Sequence, residues 1–439
     1  MSRSPIAPFR IAITGLGGVT PHADNVEASW TAILQGRRAV RLLSSEELGG
    51  QIDASLSSNQ SWSGAPAVGI DRRPSAVWQG DPVLQMADRT VTESLRRARL
   101  TSTDIDPDRI GCVFGTSKGG LDTFQRLQRE VTPTNEMATA AIGDFWSSVP
   151  PSAAAASLSA KWGWQGPSLA PVAACATGLV SLIRASALIR DGRCDVVVAG
   201  SSDASLQPAL LASFRRLGVL ASVKTDPGTA CRPFDARRRG FVAGEGAAAL
   251  VLERWDHAVA RRVPILAEWV DGLQRADPHG LTLLPADPKD LVKLLVDLLR
   301  RTDMQPSDID AVSLHGTGTR MNDAYEAAAL RALCGRHADH LRCFALKGGI
   351  GHLLGAAGSV ESLAAVCALR DQVLPPTVNC DWPAADCQIP VTGPVAENTP
   401  VRTILKLSLG FGGHLAAGLL RRVESSDAAL ETTVSAKSV

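Results

Sequence analysis

Along this chain, short apolar runs alternate with longer stretches whose apolar residues recur at helical spacing. Arg10 to Thr14 predicts a strand, and Val26 to Leu34 predicts an amphipathic helix opened by Asn25. Ile110 to Phe114 predicts a second strand, ending in Gly115-Thr116-Ser117. Cys194 to Gly200 is continuous in Val, the pattern of a strand covered on both faces. Ala247 to Glu253 predicts another, followed by a helix from His257 to Arg262. From Val263 the alternation resumes and continues through Leu420, without an obvious sequence repeat. Two segments break the pattern. Residues 43–82, with Gly49-Gly50, a polar stretch from Ser55 to Gly64 and Pro74, predict a loop-rich surface cap. The tail from Ser425 to Val439 is small and polar and predicts disorder.

Composition narrows the class of protein. At 439 residues the chain can bury a large core, and its length alone fits two or three domains. The 45 basic and 44 acidic residues nearly cancel, which gives no electrostatic case for nucleic acid or an anionic membrane. Nine cysteines without a C-x-x-C pair favour a reducing cytosol over a disulfide framework. The N-terminus lacks the apolar core of a signal peptide, and no apolar run reaches the roughly 18 residues of a spanning helix. The expectation is a cytoplasmic protein with no membrane span.

Three residues carry candidate chemistry. Cys175 sits in Ala173-Ala174-Cys175-Ala176-Thr177-Gly178-Leu179, between an extended apolar run and a long apolar helix. A thiol at the first turn of a helix meets unpaired N–H groups and the positive end of the dipole, which favour thiolate. Small neighbours leave room for a substrate, and Gly178 lets another backbone come close. A buried core cysteine is the plainer alternative. His315, in His315-Gly316-Thr317-Gly318-Thr319, ends the strand-like run from Ile309 to Ser313. His352 closes Lys347-Gly348-Gly349-Ile350-Gly351-His352. Both histidines lie among glycines after short apolar runs, a setting that opens a side chain to a cleft.

Taken in order, the Cys175 segment, His315-Gly-Thr-Gly-Thr, Lys347-x4-His352 and Gly410-Phe411-Gly412-Gly413 resemble the motifs of the β-ketoacyl-[acyl carrier protein] synthases. These are the elongating condensing enzymes of fatty-acid and type II polyketide synthesis. The opening from Arg10 to Pro21 is similar to theirs, as are Arg232-Pro233-Phe234-Asp235, Arg239-Gly240-Phe241 and Gly244-Glu245-Gly246. The likeness covers roughly residues 9–422. It implies an α/β chain with the thiolase-like five-layered αβαβα sandwich of two pseudo-duplicated halves. Residues 1–254 would carry the nucleophile and 255–424 the histidines, with 425–439 as a tail.

The resemblance also implies an acyltransferase activity: decarboxylative Claisen condensation of an acyl thioester with malonyl-acyl carrier protein. Cys175 would hold the acyl group, and His315 and His352 would serve the decarboxylation. Lys347 and Glu326 would form a charge network behind the histidines. The backbone N–H groups of Cys175 and Phe411 would hold an oxyanion, with Gly410, Gly412 and Gly413 permitting close approach. Acyl carrier protein, acyl and malonyl thioesters and a second copy of the chain are the implied partners, with no cofactor and no metal.

Three departures stand out. His414-Leu415 replaces the usual Thr-Asn, and Gly348 stands where Ser commonly follows the motif lysine. Lys118 occupies an acyl-pocket position usually aliphatic in fatty-acid enzymes, and Phe214 matches a second pocket position. A non-catalytic chain-length partner of a heterodimeric synthase shares the fold, but such subunits usually replace the nucleophile. A thiolase would carry a second Cys where Gly410 to His414 has none. A metal-hydrolase reading of His315, His352 and Asp323 lacks any H-x-x-x-H or H-E-x-x-H spacing.

Overall fold

The structure, a computed structural model, describes residues 9–45, 47–48, 62–71, 80–101, 105–130, 143, 145–222 and 226–424. The tail expected to be disordered lies outside these residues, as does much of the expected cap over 43–82.

Local sequence sets the first elements. Asn25 caps the helix Val26–Leu34 by accepting from the Ala28 N–H at 3.0 Å. Asp81 and Pro82 open the helix Pro82–Arg97 in the same manner, the acid capping and the proline fixing the first turn. The strands Ile11–Val19, Val196–Asp203 and Gly246–Arg254 are buried almost end to end, as their apolar runs require. The first runs five residues beyond its expected span, because Gly15 and Gly17 let the extended chain continue beneath the helix Pro82–Arg97. The helix expected from His257 starts earlier, at Trp255.

Ten strands form one sheet. Along the first half the order is Ser168–Leu169, Ile110–Gly115, Val196–Asp203, Gly246–Arg254 and Ile11–Val19. The second half runs Ala267–Ala276, His414–Arg421, Thr403–Gly410, Ala311–Ser313 and Arg342–Phe344. Numbered within each half by chain position, both follow the order 3-2-4-5-1, with the fifth strand antiparallel to its neighbours. The two first strands meet antiparallel, Ile11 opposite Trp269. This repeated topology is the pseudo-duplication, although no sequence repeat announces it.

Between the half-sheets lie the helices Thr177–Arg190 and Ala357–Asp371, which pack on each other and on the strands. The second is buried all round from Ala357 to Leu369, as its nearly unbroken apolar sequence predicts. The helices Pro82–Arg97 and Ala153–Trp162 cover the outer face of one half. Lys289–Arg301 covers the other and carries Arg320–Cys334 on its side. Helix, sheet, helix, sheet, helix gives five layers. Each inner helix begins with a tight 3-10 turn, Ala174–Ala176 or Leu354–Ala356, entered through a residue at left-handed φ: Ala174 at 47° and Leu354 at 49°. Cys175 and Gly355 are therefore topological counterparts.

Candidate active site

One cavity of about 570 Å³ brings the sequence-defined motifs together. Cys175, His315, His352, Gly410 and Phe411 line it, with Phe214 and Phe241 on one wall and Leu281 to Leu284 on another. Lys347, Glu326 and Lys118 are not among its lining residues and act from behind it.

Cys175 stands in the turn ahead of the helix that starts at Thr177, and its thiol accepts from the Phe411 N–H. Gly410 makes this contact possible. A Cβ there would lie 2.6 Å from the Ala173 carbonyl oxygen and 3.2 Å from the Cys175 nitrogen. Gly412 and Gly413 follow at φ of 87° and 75°, which turn the chain back into His414–Arg421. The expectation that the helix terminus favours thiolate needs correction. Burial outweighs it and pushes the Cys175 thiol up to about 11, against the pull of the Lys118 and Lys347 charges. At neutral pH only about one molecule in 10⁴ would hold a free thiolate.

The two imidazoles are buried and meet edge to face, with ring centres 5.3 Å apart. Burial, then the nearby ammonium groups, hold both well below the usual histidine range, so both are neutral. Their hydrogen bonds assign the tautomers. Nδ1 of His315 faces the Lys347 ammonium at 3.4 Å, and Nδ1 of His352 accepts from the Leu354 N–H at 3.3 Å. Each Nδ1 must offer its lone pair, which leaves the proton on Nε2 of both rings. The backbone of His352 is fixed by hydrogen bonds to Val242 and Gly244, and its ring meets Phe241 edge-on.

The supporting charges differ from expectation. Lys347 does not pair with Glu326: its carboxylate partner is Glu361, and it also donates to the His315 carbonyl. Glu326 instead accepts from the backbone N–H groups of His315 at 2.6 Å and Gly316 at 2.7 Å, and from Asn322 at 2.8 Å. It shapes the histidine loop through the main chain. Burial raises its carboxyl to about 7 in spite of those donors. Asp323 takes the N–H groups of Phe234 and Gly318, so its carboxyl is committed to the backbone.

Lys118 is met by polar partners. Its ammonium donates to Ser117 at 2.6 Å and Ser205 at 3.1 Å, and lies 3.8 Å from the buried Asp203. Asp203 also accepts from the Gly355 N–H at 3.1 Å, in the turn opposite Cys175. Phe214 does line the cavity, edge-on to Phe241 at 5.6 Å. Of the departures in the last loop, His414 is exposed, while Leu415 is buried against the cavity.

Glu361 and Lys406 escaped the sequence reading. Each was marked by a charge inside an apolar run, Val360-Glu361-Ser362-Leu363 and Leu405-Lys406-Leu407, a pattern that costs stability unless the charges meet. No helix among the described residues is long and apolar enough to cross a membrane.

Comparisons with known proteins agree with this geometry. The family models described as β-ketoacyl synthase, N-terminal domain and β-ketoacyl synthase, C-terminal domain match residues 9–258 and 270–381. A putative polyketide β-ketoacyl synthase 1 of Streptomyces halstedii is 34% identical over 421 residues, covering 94% of this chain and 97% of its own. The 3-oxoacyl-[acyl-carrier-protein] synthase 2 of Coxiella burnetii is 28% identical, covering 94% and 99%. Among solved structures, a type II polyketide ketosynthase complex with its acyl-carrier protein matches with TM-score 0.86 and 28% identity, over 95% of this chain and 100% of that one. A β-ketoacyl synthase from Burkholderia phymatum matches with TM-score 0.82 and 25% identity over the same shares. With matched models spanning most of its length and the thiol and both imidazoles on one cavity, this chain belongs to the β-ketoacyl synthase family.

Proposed function

We propose that the protein joins an acyl group to a malonyl unit by decarboxylative condensation, giving a β-ketoacyl thioester on an acyl carrier protein. The observation that carries this reading is a single cavity lined by a thiol and two Nε2–H imidazoles, with the Phe411 N–H directed at the thiol.

Cys175 sulfur attacks the carbonyl of an acyl-carrier thioester. The carrier thiol leaves with the proton, and the acyl group stays on the enzyme. The N–H groups of Cys175 and Phe411 receive the oxyanion of that step. Malonyl-carrier then loses carbon dioxide, and the electron pair moves to the thioester oxygen, where His315 and His352 donate through Nε2. The enolate carbon attacks the acyl carbonyl, a carbon–carbon bond forms, and Cys175 sulfur is expelled and reprotonated. Two neutral donors suit this work, because neither has to lose a proton as the charge develops.

A chain-length partner subunit is the second reading, and the retained Cys175, His315 and His352 weigh against it. The dimer belongs to the proposal: Ser168–Leu169 is the outer edge strand, and Leu169 and Val172 expose apolar side chains there. A monomer by light scattering at micromolar concentration would refute a homodimer. A cytoplasmic setting fits nine free cysteines. Reconstitution with acyl-carrier and malonyl-carrier proteins tests the activity. A β-ketoacyl-carrier product with release of carbon dioxide is expected, and malonyl-carrier left intact in the presence of acyl-carrier would refute it.

A further inference from the structure

The strand Thr403–Gly410 contains one charged side chain, Lys406, and it is fully buried. Lys406 pairs in register with Ser313, just before His315. Its ammonium donates to the Leu407 carbonyl and lies 3.5 Å from the carbonyls of Ser313 and Leu314. It also forms an ion pair with Glu361, 2.7 Å from Oε2. Lys347 takes the other oxygen, Oε1. Two buried ammonium groups thus share one carboxylate.

That arrangement is costly. A buried ion pair is often no better than apolar packing, and an ammonium in excess is worse. The groups around Lys406 do not cancel it. His315 and His352 are neutral, Lys347 repels it, and Glu326, raised to about 7 by burial, is only partly ionised at neutral pH. Asp323 is matched by Arg238, 3.6 Å away. Burial lowers Lys406 itself, and the Glu361 charge opposes that change. An excess of positive charge therefore lies directly behind the two imidazoles.

We propose that Lys406 is a positioning residue for decarboxylation: as the second ammonium on Glu361, it leaves net positive charge behind His315 and His352, where malonyl carboxylate binds and enolate forms. This rests on the condensation reading. The positive charge opposes protonation of the rings, so they remain fixed Nε2–H donors, and it favours the anion in front of them. Acyl transfer to Cys175 needs the N–H groups of Cys175 and Phe411 instead, so it should be nearly independent of Lys406.

The two half-reactions separate these roles. Acylation of Cys175 is read by intact mass, and decarboxylation by carbon dioxide released from malonyl-carrier. In Lys406→Met and Lys406→Gln, acylation should stay within about threefold while decarboxylation falls at least about tenfold. Adding Glu361→Gln to Lys406→Met restores the net charge and should recover decarboxylation at least about threefold over Lys406→Met. Unchanged decarboxylation, an equal fall in both half-reactions, or no recovery in the double variant would overturn the proposal. So would failure of both single variants to be acylated, since Lys406 would then serve folding. A wild-type protein that neither acylates nor releases carbon dioxide would refute the condensation reading itself. Wild-type turnover matched by the variants would remove Lys406 alone.

Discussion

Gly178 and Gly358 meet backbone to backbone where the two inner helices cross. A Cβ on Gly178 would lie 2.3 Å from the Ser359 nitrogen, and one on Gly358 would lie 2.5 Å from the Leu179 nitrogen. The crossing fixes the first turns of both helices, and with them Cys175 on one side and the His352 loop on the other. Gly178→Ala must push the helices apart and should cost about 2–4 kcal/mol, the upper part of the overpacking range, because the nearest clashing group is backbone. Urea unfolding measures it. A midpoint equal to wild type would show that the crossing yields.

Gly410 packs against the Cys175 turn, where an added Cβ would lie 2.6 Å from the Ala173 carbonyl oxygen, but its effect should fall on rate. The methyl of Gly410→Ala would displace the Phe411 N–H from the thiol, removing one oxyanion donor. Loss of one such donor is typically worth about 10²–10³ in rate. Single-turnover acylation of Cys175 should slow by about that factor. Acylation at the wild-type rate would exclude the Phe411 N–H from the oxyanion site.

Much of this was legible in the sequence, for identifiable reasons. Cys175, His315, His352 and the glycine loop occupy short local motifs, and the fold gathers them on one cavity. The Val-rich run of Val196–Asp203 and the Asn25 cap announced their elements directly. The charge network was not legible, because pairing is three-dimensional. Nothing in the spacing of Lys347, Glu326 and Glu361 tells which acid meets the ammonium and which the backbone of His315. The state of Cys175 was misjudged because helix position is local, whereas the burial that overrides it is set by the tertiary packing around the turn.

The thiol pushed up to about 11 has a kinetic signature. Below that value each unit of rising pH increases the thiolate about tenfold, and falling pH removes it in proportion. Alkylation of Cys175 by iodoacetamide should therefore climb about tenfold per unit from pH 7 to 10, without levelling. A plateau near pH 7–8 would mean that the helix terminus and the lysines outweigh burial after all.

Lys118 offers a contrast between pocket and charge. Its ammonium is satisfied by Ser117, Ser205 and Asp203 and lies outside the cavity lining, yet it is the largest favourable charge on Cys175. Lys118→Ile should therefore slow acylation severalfold for short, medium and long acyl thioesters alike, while Asp203 keeps Ser117, Ser205 and the Gly355 N–H as donors. A selective gain for long chains would instead assign Lys118 to the acyl pocket.

Cys175 as the acyl-carrying nucleophile is the claim on which the rest depends. Cys175→Ala should abolish condensation, while Cys175→Gln should lose acylation and keep malonyl decarboxylation, since both Nε2–H donors survive. The most direct measurement is the intact and peptide mass of wild-type protein after incubation with acyl-carrier thioester, before and after malonyl-carrier is added. The account predicts one acyl group on the Cys175 peptide, discharged as β-ketoacyl-carrier when malonyl-carrier arrives. Acylation at another residue, or condensation retained by Cys175→Ala, would contradict it.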